Sequence, residues 1–292
     1  MENLLITGLS GRTGRYFLNY INELGLDNYK IYATVRNEET NFTDNINKIL
    51  VDLDDTENLN EITKGMDVIF HIVNIRKSIN IINAAIKNNV KWVILVHTTG
   101  IYSKYKSASK EYIDIENKIS NLIKNKDIKV TILRPTMIYG SLDDQNMSVF
   151  IKMVDKLRIF PVVNGGKYAL QPVHQEDLGK AYYQVLINKN KTIGKNYTLS
   201  GKDPINLIDI LKIISDKLNK KTKFISVPYS FSYFGAVLLK IISFKKIDLK
   251  EKVQRLVEPR AYSHDDAIKD FDYNPKPFIE GIEKEIKLYL NR

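Results

Sequence analysis

Tyr102 and Lys106 stand four residues apart in IYSKYKSASK, residues 101–110. On one helical face that spacing sets an ammonium beside a phenol. The positive charge draws the phenol's pKa down from about 10, and a tyrosine tuned this way passes protons to or from a substrate oxygen. The plainer alternative is a partly exposed loop with solvated lysines, since two more lysines and another tyrosine lie in the same stretch. Position in the fold decides between the two.

The second cluster is TGLSGRTG, residues 7–14, which holds Gly8, Ser10, Gly11, Arg12, Thr13 and Gly14. It lies between the apolar run NLLIT (3–7) and the helix-like GRYFLNYINEL. Gly8 suits a tight turn, Gly11 lets the backbone approach a pyrophosphate, and Gly14 lets the helix pack close to a sheet. The helix start adds N–H donors and a positive dipole end. A glycine trio alone is weak, but at the first strand–helix junction of a βαβ series it reads as a dinucleotide cradle.

The end of the second strand bears on which dinucleotide. ATVRN puts Arg36 where an acid would grip the ribose of NAD. Arg36, with Arg12, suits the 2′-phosphate of NADP, so NADP(H) is favoured and NAD(H) is the alternative. Both arginines remain open to being surface residues that tolerate either cofactor. Asp52 and Leu53, after the third strand, line the adenine pocket, or Asp52 caps the next turn.

The elements that must position these residues are visible as β-rich runs. They are NLLIT, KIYATV (30–35), INKILVDL (46–53), MDVIFHIVN (66–74), VKWVILVHTT (90–99) and IKVTILRP (128–135). Amphipathic stretches fall between most of them. Runs buried on both faces and alternating with helices imply an α/β fold, a Rossmann doubly wound parallel sheet. After about residue 140 the pattern changes to short mixed elements, with QEDLGKAYYQVLI and INLIDILKIISDKLN helical and NYTLS and KFISV as strands. This places a dinucleotide-binding domain at 1–140 and a smaller C-terminal α/β substrate lobe at 141–292, with 168–190 packing back onto the first domain.

Composition narrows the classes. Of 292 residues 43% are hydrophobic and 27% charged, ordinary for a globular protein. With no cysteine, disulfides, thiolate catalysis and Cys-ligated zinc are excluded, and a cytoplasmic setting is expected. No His/Asp/Glu spacing suggests a metal site. MENLLITGLS does not read as a signal peptide. The net charge of +10 lacks a nucleic-acid motif beside it, so no nucleic acid is expected. The apolar stretch 229–252 ends in lysines; a core helix with a solvated end is favoured there over membrane-surface attachment.

Together the motifs TGLSGRTG, VHTTGIYS, TILRPTMIYG, LQPVHQEDLGKAYYQVL and DAIKDFDYNPKPFIEGIEKEI resemble the extended and atypical short-chain dehydrogenase/reductase superfamily, in its nucleotide-sugar epimerase/dehydratase-like branch. The resemblance spans nearly the whole chain. It implies that Thr98 supplies the hydroxyl orienting a substrate oxygen, and that Pro135, Thr136, Met137 and Ile138 run beside the nicotinamide. It places Tyr139 at the turn toward the substrate lobe and His174 near the pocket, as a general base or as a seat for the lobe. Asn74 hydrogen-bonds a ribose or caps the next helix. Asn146 contacts substrate or caps the helix after it.

The sequence departs from that pattern at the proton-transfer pair. Tyr102 falls before the helix that should carry the dyad, and the candidate on that helix, Tyr112, has Glu116 where the lysine belongs. An anion there would raise the phenol's pKa. Two readings follow: an NAD(P)-dependent oxidoreductase or epimerase/dehydratase-like enzyme acting on a nucleotide sugar or similar polar carbonyl or alcohol, a small-molecule substrate, or a non-catalytic NADP(H)-binding regulator or assembly factor. A homodimer stays open in either.

Overall fold

The central β-rich runs form strands because they are apolar on both faces, whereas the run at 46–50 makes an edge strand that is largely exposed. In the computed structural model, which describes residues 1–292 apart from 41, 44 and 243–248 and leaves out the side chains of 106–108 and 238–242, the first half alternates strand and helix. The order is β1 (Glu2–Thr7), α1 (Arg12–Leu24), β2 (Tyr29–Val35), β3 (Ile46–Leu50), α2 (Thr56–Ile62) and β4 (Val68–His71). It continues with α3 (Ser78–Lys87), β5 (Trp92–Val96), α4 (Lys106–Ile123) and β6 (Lys129–Pro135).

The second half holds shorter pieces. These are β7 (Ile138–Tyr139), α5 (Met147–Lys156), β8 (Ile159–Val163), β9 (Ala169–Leu170), β10 (Val173–His174) and α6 (Gln175–Ile187). Then come α7 (Lys189–Thr192), β11 (Asn196–Leu199), β12 (Ile205–Asn206), α8 (Leu207–Lys217) and β13 (Lys223–Val227). Helices α9 (Tyr229–Ile242), α10 (Lys250–Arg255), α11 (Asp265–Phe271) and α12 (Phe278–Leu290) complete the chain.

Among the described residues the main sheet has seven strands in the order β11-β6-β5-β4-β1-β2-β3, and its ladders are parallel. This is the doubly wound Rossmann architecture. The chain reverses direction across the sheet between β1 and β4, where a crevice opens at the strand C-termini. Every residue of β4 and β5 is buried, because helices cover both faces. On one face Phe17 and Ile21 of α1 pack with Leu178, Ala181 and Tyr182 of α6. On the other, Leu59 of α2, Ile81 and Ile82 of α3, and Ile115 and Ile119 of α4 pack together.

The later segments divide between the two bodies. β11 joins the main sheet beside β6, and α6 lies against α1. A separate core forms from Met147 and Ile151 of α5, Ile210 and Ile214 of α8, and Ile282 and Ile286 of α12.

The core-helix expectation for 229–252 is corrected over its described part. In α9, Phe231 is 72% exposed and Phe234 67% exposed, while Ala236 is the buried apolar residue. The helix presents aromatic side chains to solvent, and the stretch 243–248 lies outside the described residues.

Candidate active site

The loop between β1 and α1 builds the first wall. Gly8 adopts φ +81°, in the left-handed region, and the Gly11 amide donates to the Gly8 carbonyl at 3.0 Å. A Cβ on Gly14 would lie 2.2 Å from the Gly8 carbonyl oxygen and 2.6 Å from that of Leu9. The helix therefore starts hard against the turn. Gly11, the N-cap, gives α1 no side-chain cap, and its first turn holds no acid. Its leading amides thus face the crevice without a carboxylate in the way, as a bound diphosphate requires. The residues present fit a dinucleotide.

A single cleft of about 1390 Å³ runs from this loop into the second body. At one end it is lined by Thr34, Arg36, Asn37, Thr40, Asp52 and Leu53. Arg36 is exposed at the end of β2. Arg12 also lines the cleft, and its guanidinium reaches the Asp143 carbonyl at 3.3 Å. The Asp52 carboxylate accepts from the Asp54 amide at 2.9 Å, so it does cap the turn while bordering the cleft. Asn74 likewise accepts from the Arg76 amide at 3.0 Å and lines the cleft.

Mid-cleft are Thr98, Thr136, Met137, Ile138 and Tyr139. The Thr98 hydroxyl accepts from the Gly100 amide at 3.0 Å, which fixes it at the end of β5. Thr136 donates to the Gln171 carbonyl at 2.5 Å. Asn146 stands at the start of α5, but its side chain does not cap the helix. It donates to the Ile138 carbonyl at 3.0 Å, and Asp144 accepts from the Asn146 and Ser148 amides instead, at 2.6 and 3.3 Å.

Several expected residues lie off the cleft wall. Pro135 is buried at the end of β6, and Gly14 packs under the loop. His174 is 2% exposed and accepts from the Glu176 amide at 3.3 Å, so it caps α6. Its ring lies edge-on to Tyr139, centroids 5.2 Å apart. Burial and Lys276 push its pKa down to about 4, which keeps it neutral. Tyr102 is 44% exposed; its ring packs on Tyr262 at 5.3 Å, and the Arg134 guanidinium lies 5.9 Å from its centroid. Lys106 begins α4, and its side chain lies outside the described residues.

The usual dyad position holds something else. The Glu116 carboxylate receives Arg134 Nε at 3.0 Å and Nη2 at 2.5 Å, and pairs with His97 Nδ1 at 2.9 Å. His97 Nε2 sits 3.1 Å from the Ser78 hydroxyl. Burial pushes the Glu116 pKa up, but the hydrogen bonds from His97 and Arg134 outweigh it and hold the group below the usual carboxylate range. Glu116 is thus a buried ion-pair centre behind the cleft.

The far end contains residues that sequence reasoning missed. Arg255, Glu258, Arg260 and Tyr262 line it beside Ser103 and Gln171. Glu258 receives the Ser103 hydroxyl at 2.8 Å and the Lys104 amide at 2.6 Å. The Arg260 amide donates to the Ala169 carbonyl at 2.8 Å, and the Tyr262 amide to the Gln171 side chain at 2.8 Å. These bonds latch the 258–262 segment over the cleft. The Arg260 Nε and the Arg255 Nε are buried without a hydrogen-bond partner. Burial, then Arg255, pull the Arg260 pKa down to about 10. Two guanidiniums facing one cleft with unused donors suit an anion. Only the pair's spacing in RLVEPR hinted at this, and that spacing matches no helix or strand period.

The fold and the cradle define a dinucleotide-binding protein of the Rossmann class. A model of the NAD(P)H-binding family matches residues 8–155, and the chain belongs to that family. No protein of curated function matches the sequence. Among solved structures, the chain is similar to gox2253, with 17% identity, TM-score 0.78, and 100% of this chain and 98% of that one covered. It is similar to the UDP-glucose 4-epimerase of Thermotoga maritima with UDP-glucose, at 14% identity and TM-score 0.73 over 99% of each chain. The UDP-glucuronic acid 4-epimerase of Bacillus cereus, in complex with UDP-glucuronic acid and NAD, gives 15% identity and TM-score 0.74 over 99% of each chain. These likenesses show that the chain shares the fold of those epimerases over its whole length.

Proposed function

We propose that the protein is an NADP(H)-dependent oxidoreductase or epimerase/dehydratase-like enzyme acting on a nucleotide sugar or a similarly polar, anionic carbonyl or alcohol. One observation carries this reading: a single cleft joins an open amide cradle at Gly8–Thr13 to the Arg260 guanidinium, whose buried Nε has no partner. The cradle suits a dinucleotide, and the far arginines suit the phosphates of a second, substrate molecule. The epimerases of the same fold bear UDP-sugars in their structures, which agrees with that division.

The chain's own residues take these roles. Amides of the glycine loop hold the pyrophosphate, Arg36 with Arg12 takes the 2′-phosphate, and Asn74 borders the ribose. Thr136, Met137 and Ile138 flank the nicotinamide, which supplies hydride acceptance or donation when bound. Thr98 orients the substrate oxygen. With Glu116 held by Arg134 and His97 and Tyr102 off the cleft wall, the proton passes through water rather than through Tyr112.

The buried Glu116 centre also favours a second reading, a dinucleotide-responsive regulator that binds without turnover. Purified protein separates the two. The enzyme reading expects stoichiometric NADPH binding together with a change in NADPH absorbance on at least one nucleotide sugar or small carbonyl of a panel. Binding with no turnover across the panel assigns the regulator. Arg36→Asp tests the cofactor preference: the NADPH-to-NADH affinity ratio should fall by about tenfold or more, and an unchanged ratio removes the 2′-phosphate role.

A further inference from the structure

We infer that the exposed face around α9 docks on an anionic lipid surface. Over residues 229–237 helix α9 carries four aromatic side chains and buries only Ala236. Phe231 and Phe234 are the most exposed aromatic side chains among the described residues, at 72% and 67%. A Cβ on Gly235, next to Phe234, would meet nothing within 4 Å, so that side of the helix is open. The opposite side is anchored: Ala236 is buried, Tyr229 and Tyr233 pack ring on ring at 5.7 Å, and the Tyr229 amide donates to the Asn164 side chain at 2.8 Å.

The ribbon that leads into α9 continues the same chemistry. In the β8–β13 pair, Ile159 lies opposite Lys223 and Pro161 opposite Ile225, and all four are exposed. Partners in register share a face, so an apolar, lysine-bearing strip precedes the aromatic helix. Lys221 and Lys223 have no ion-pair partner among the described residues. In sequence, 217–252 holds nine lysines against two acids; Lys217 and Lys220 are ion-paired with Glu283 and Asp155, whereas Lys221 and Lys223 leave their charge to solvent.

This charge selects the occupant. A second copy would bring lysine against lysine across a twofold axis, whereas an anionic bilayer offers negative charge to the lysines and an apolar boundary to the phenylalanines. No helix among the described residues is long and apolar enough to cross a membrane, so α9 lies on the surface. It packs against α10, whose last residue, Arg255, lines the cleft. Docking therefore holds the substrate end of the cleft near the lipid interface.

The test is flotation of the full chain with phosphatidylglycerol vesicles and with phosphatidylcholine vesicles at low salt. Expected is flotation with the anionic vesicles alone, reduced about tenfold or more in F231S/F234S and weakened in K221E/K223E, with circular dichroism unchanged. F234W keeps an aromatic at the site; its emission should shift to the blue on phosphatidylglycerol, against the buried Trp92. No flotation with phosphatidylglycerol overturns the inference. So does equal flotation of F231S/F234S, which marks diffuse charge attraction, or a dimer in sedimentation velocity that this double variant abolishes.

Discussion

The two ends of the cleft are made differently. The first end is built round the backbone of one short stretch, the glycine loop, with side chains of 34–40 and 51–54 beside it. The far end gathers side chains from 98–103, 139–146, 170–171 and 255–262, segments far apart in sequence. Backbone geometry at the first end tolerates little change, because the contacts are main chain against main chain. The second end is a set of side chains whose charges can be altered one at a time. The largest expected effect is therefore at Gly14. Gly14→Ala puts a methyl 2.2 Å from the Gly8 carbonyl oxygen, which neither partner can yield without opening the loop. Calorimetry should then detect no heat with either nicotinamide dinucleotide, while circular dichroism still reports the fold. Undiminished binding would mean the cradle does not need this close approach.

Between the ends lies the Glu116–Arg134–His97 cluster, where the comparison can be broken outright. If the dyad had merely drifted, Glu116→Lys would restore it and raise turnover. The geometry argues the reverse. Both partners are close to fully buried, with side-chain exposures of 13% for Glu116 and 10% for Arg134, and a lysine there would meet an arginine. Removing one partner of a buried pair destabilises by about 3–5 kcal/mol. We expect Glu116→Lys to lose at least that much in denaturant unfolding and to gain no NADPH oxidation. A stable variant with new activity would show that the cluster is a disabled dyad rather than a structural centre.

How much of this was legible beforehand follows from the same contrast. The doubly wound sheet could be read because strands buried on both faces leave continuous apolar runs, and QEDLGKAYYQVLI matches α6 residue for residue. The glycine loop could be read because its requirement is local. Arg260 could not: its meaning depends on Ala169 and Arg255 beside it, and no periodicity links them. Glu116 stands out in the sequence as an anomaly, yet only the fold reveals that Arg134, on the strand that follows its helix, is what it serves. Asn146 shows a subtler limit. It sits at an N-cap position, but Asp144 takes the amides first.

A smaller effect sharpens the substrate end. Arg260→Met keeps the buried stem and removes the guanidinium. Hydrogen bonds to charged groups contribute about 1.5–3 kcal/mol, so the affinity for a phosphate-bearing substrate should drop roughly 10- to 100-fold. Dinucleotide binding, at the other end, should not change. With the substrate unidentified, inorganic pyrophosphate serves as the probe: it should protect wild-type protein bound to NADPH against thermal unfolding more than it protects the variant. Equal protection would place the anion elsewhere in the cleft.

The smallest expected effect is a pH dependence confined to the substrate body. Glu285, on α12, is fully buried and accepts from the Gly140 amide at 3.0 Å. Burial, and then the neighbouring Asp144 carboxylate, push its pKa from 4.5 to about 9, against a smaller opposing pull from the Gly140 hydrogen bond and Lys152. A carboxyl whose folded-state pKa is raised binds its proton more tightly in the native protein than in the unfolded chain. Stability must then fall as pH rises from about 4.5 toward 9, and the effect is exhausted outside that window. Glu285→Gln keeps an acceptor for Gly140 and removes the titration. The melting temperature of wild type should decline across that range, and the variant's curve should be flatter by several degrees at the alkaline end. The heat of NADPH binding should stay level in both, since the amides of the glycine loop do not titrate. Parallel melting curves would show that the Asp144–Glu285 pair does not govern how the second body holds to the first.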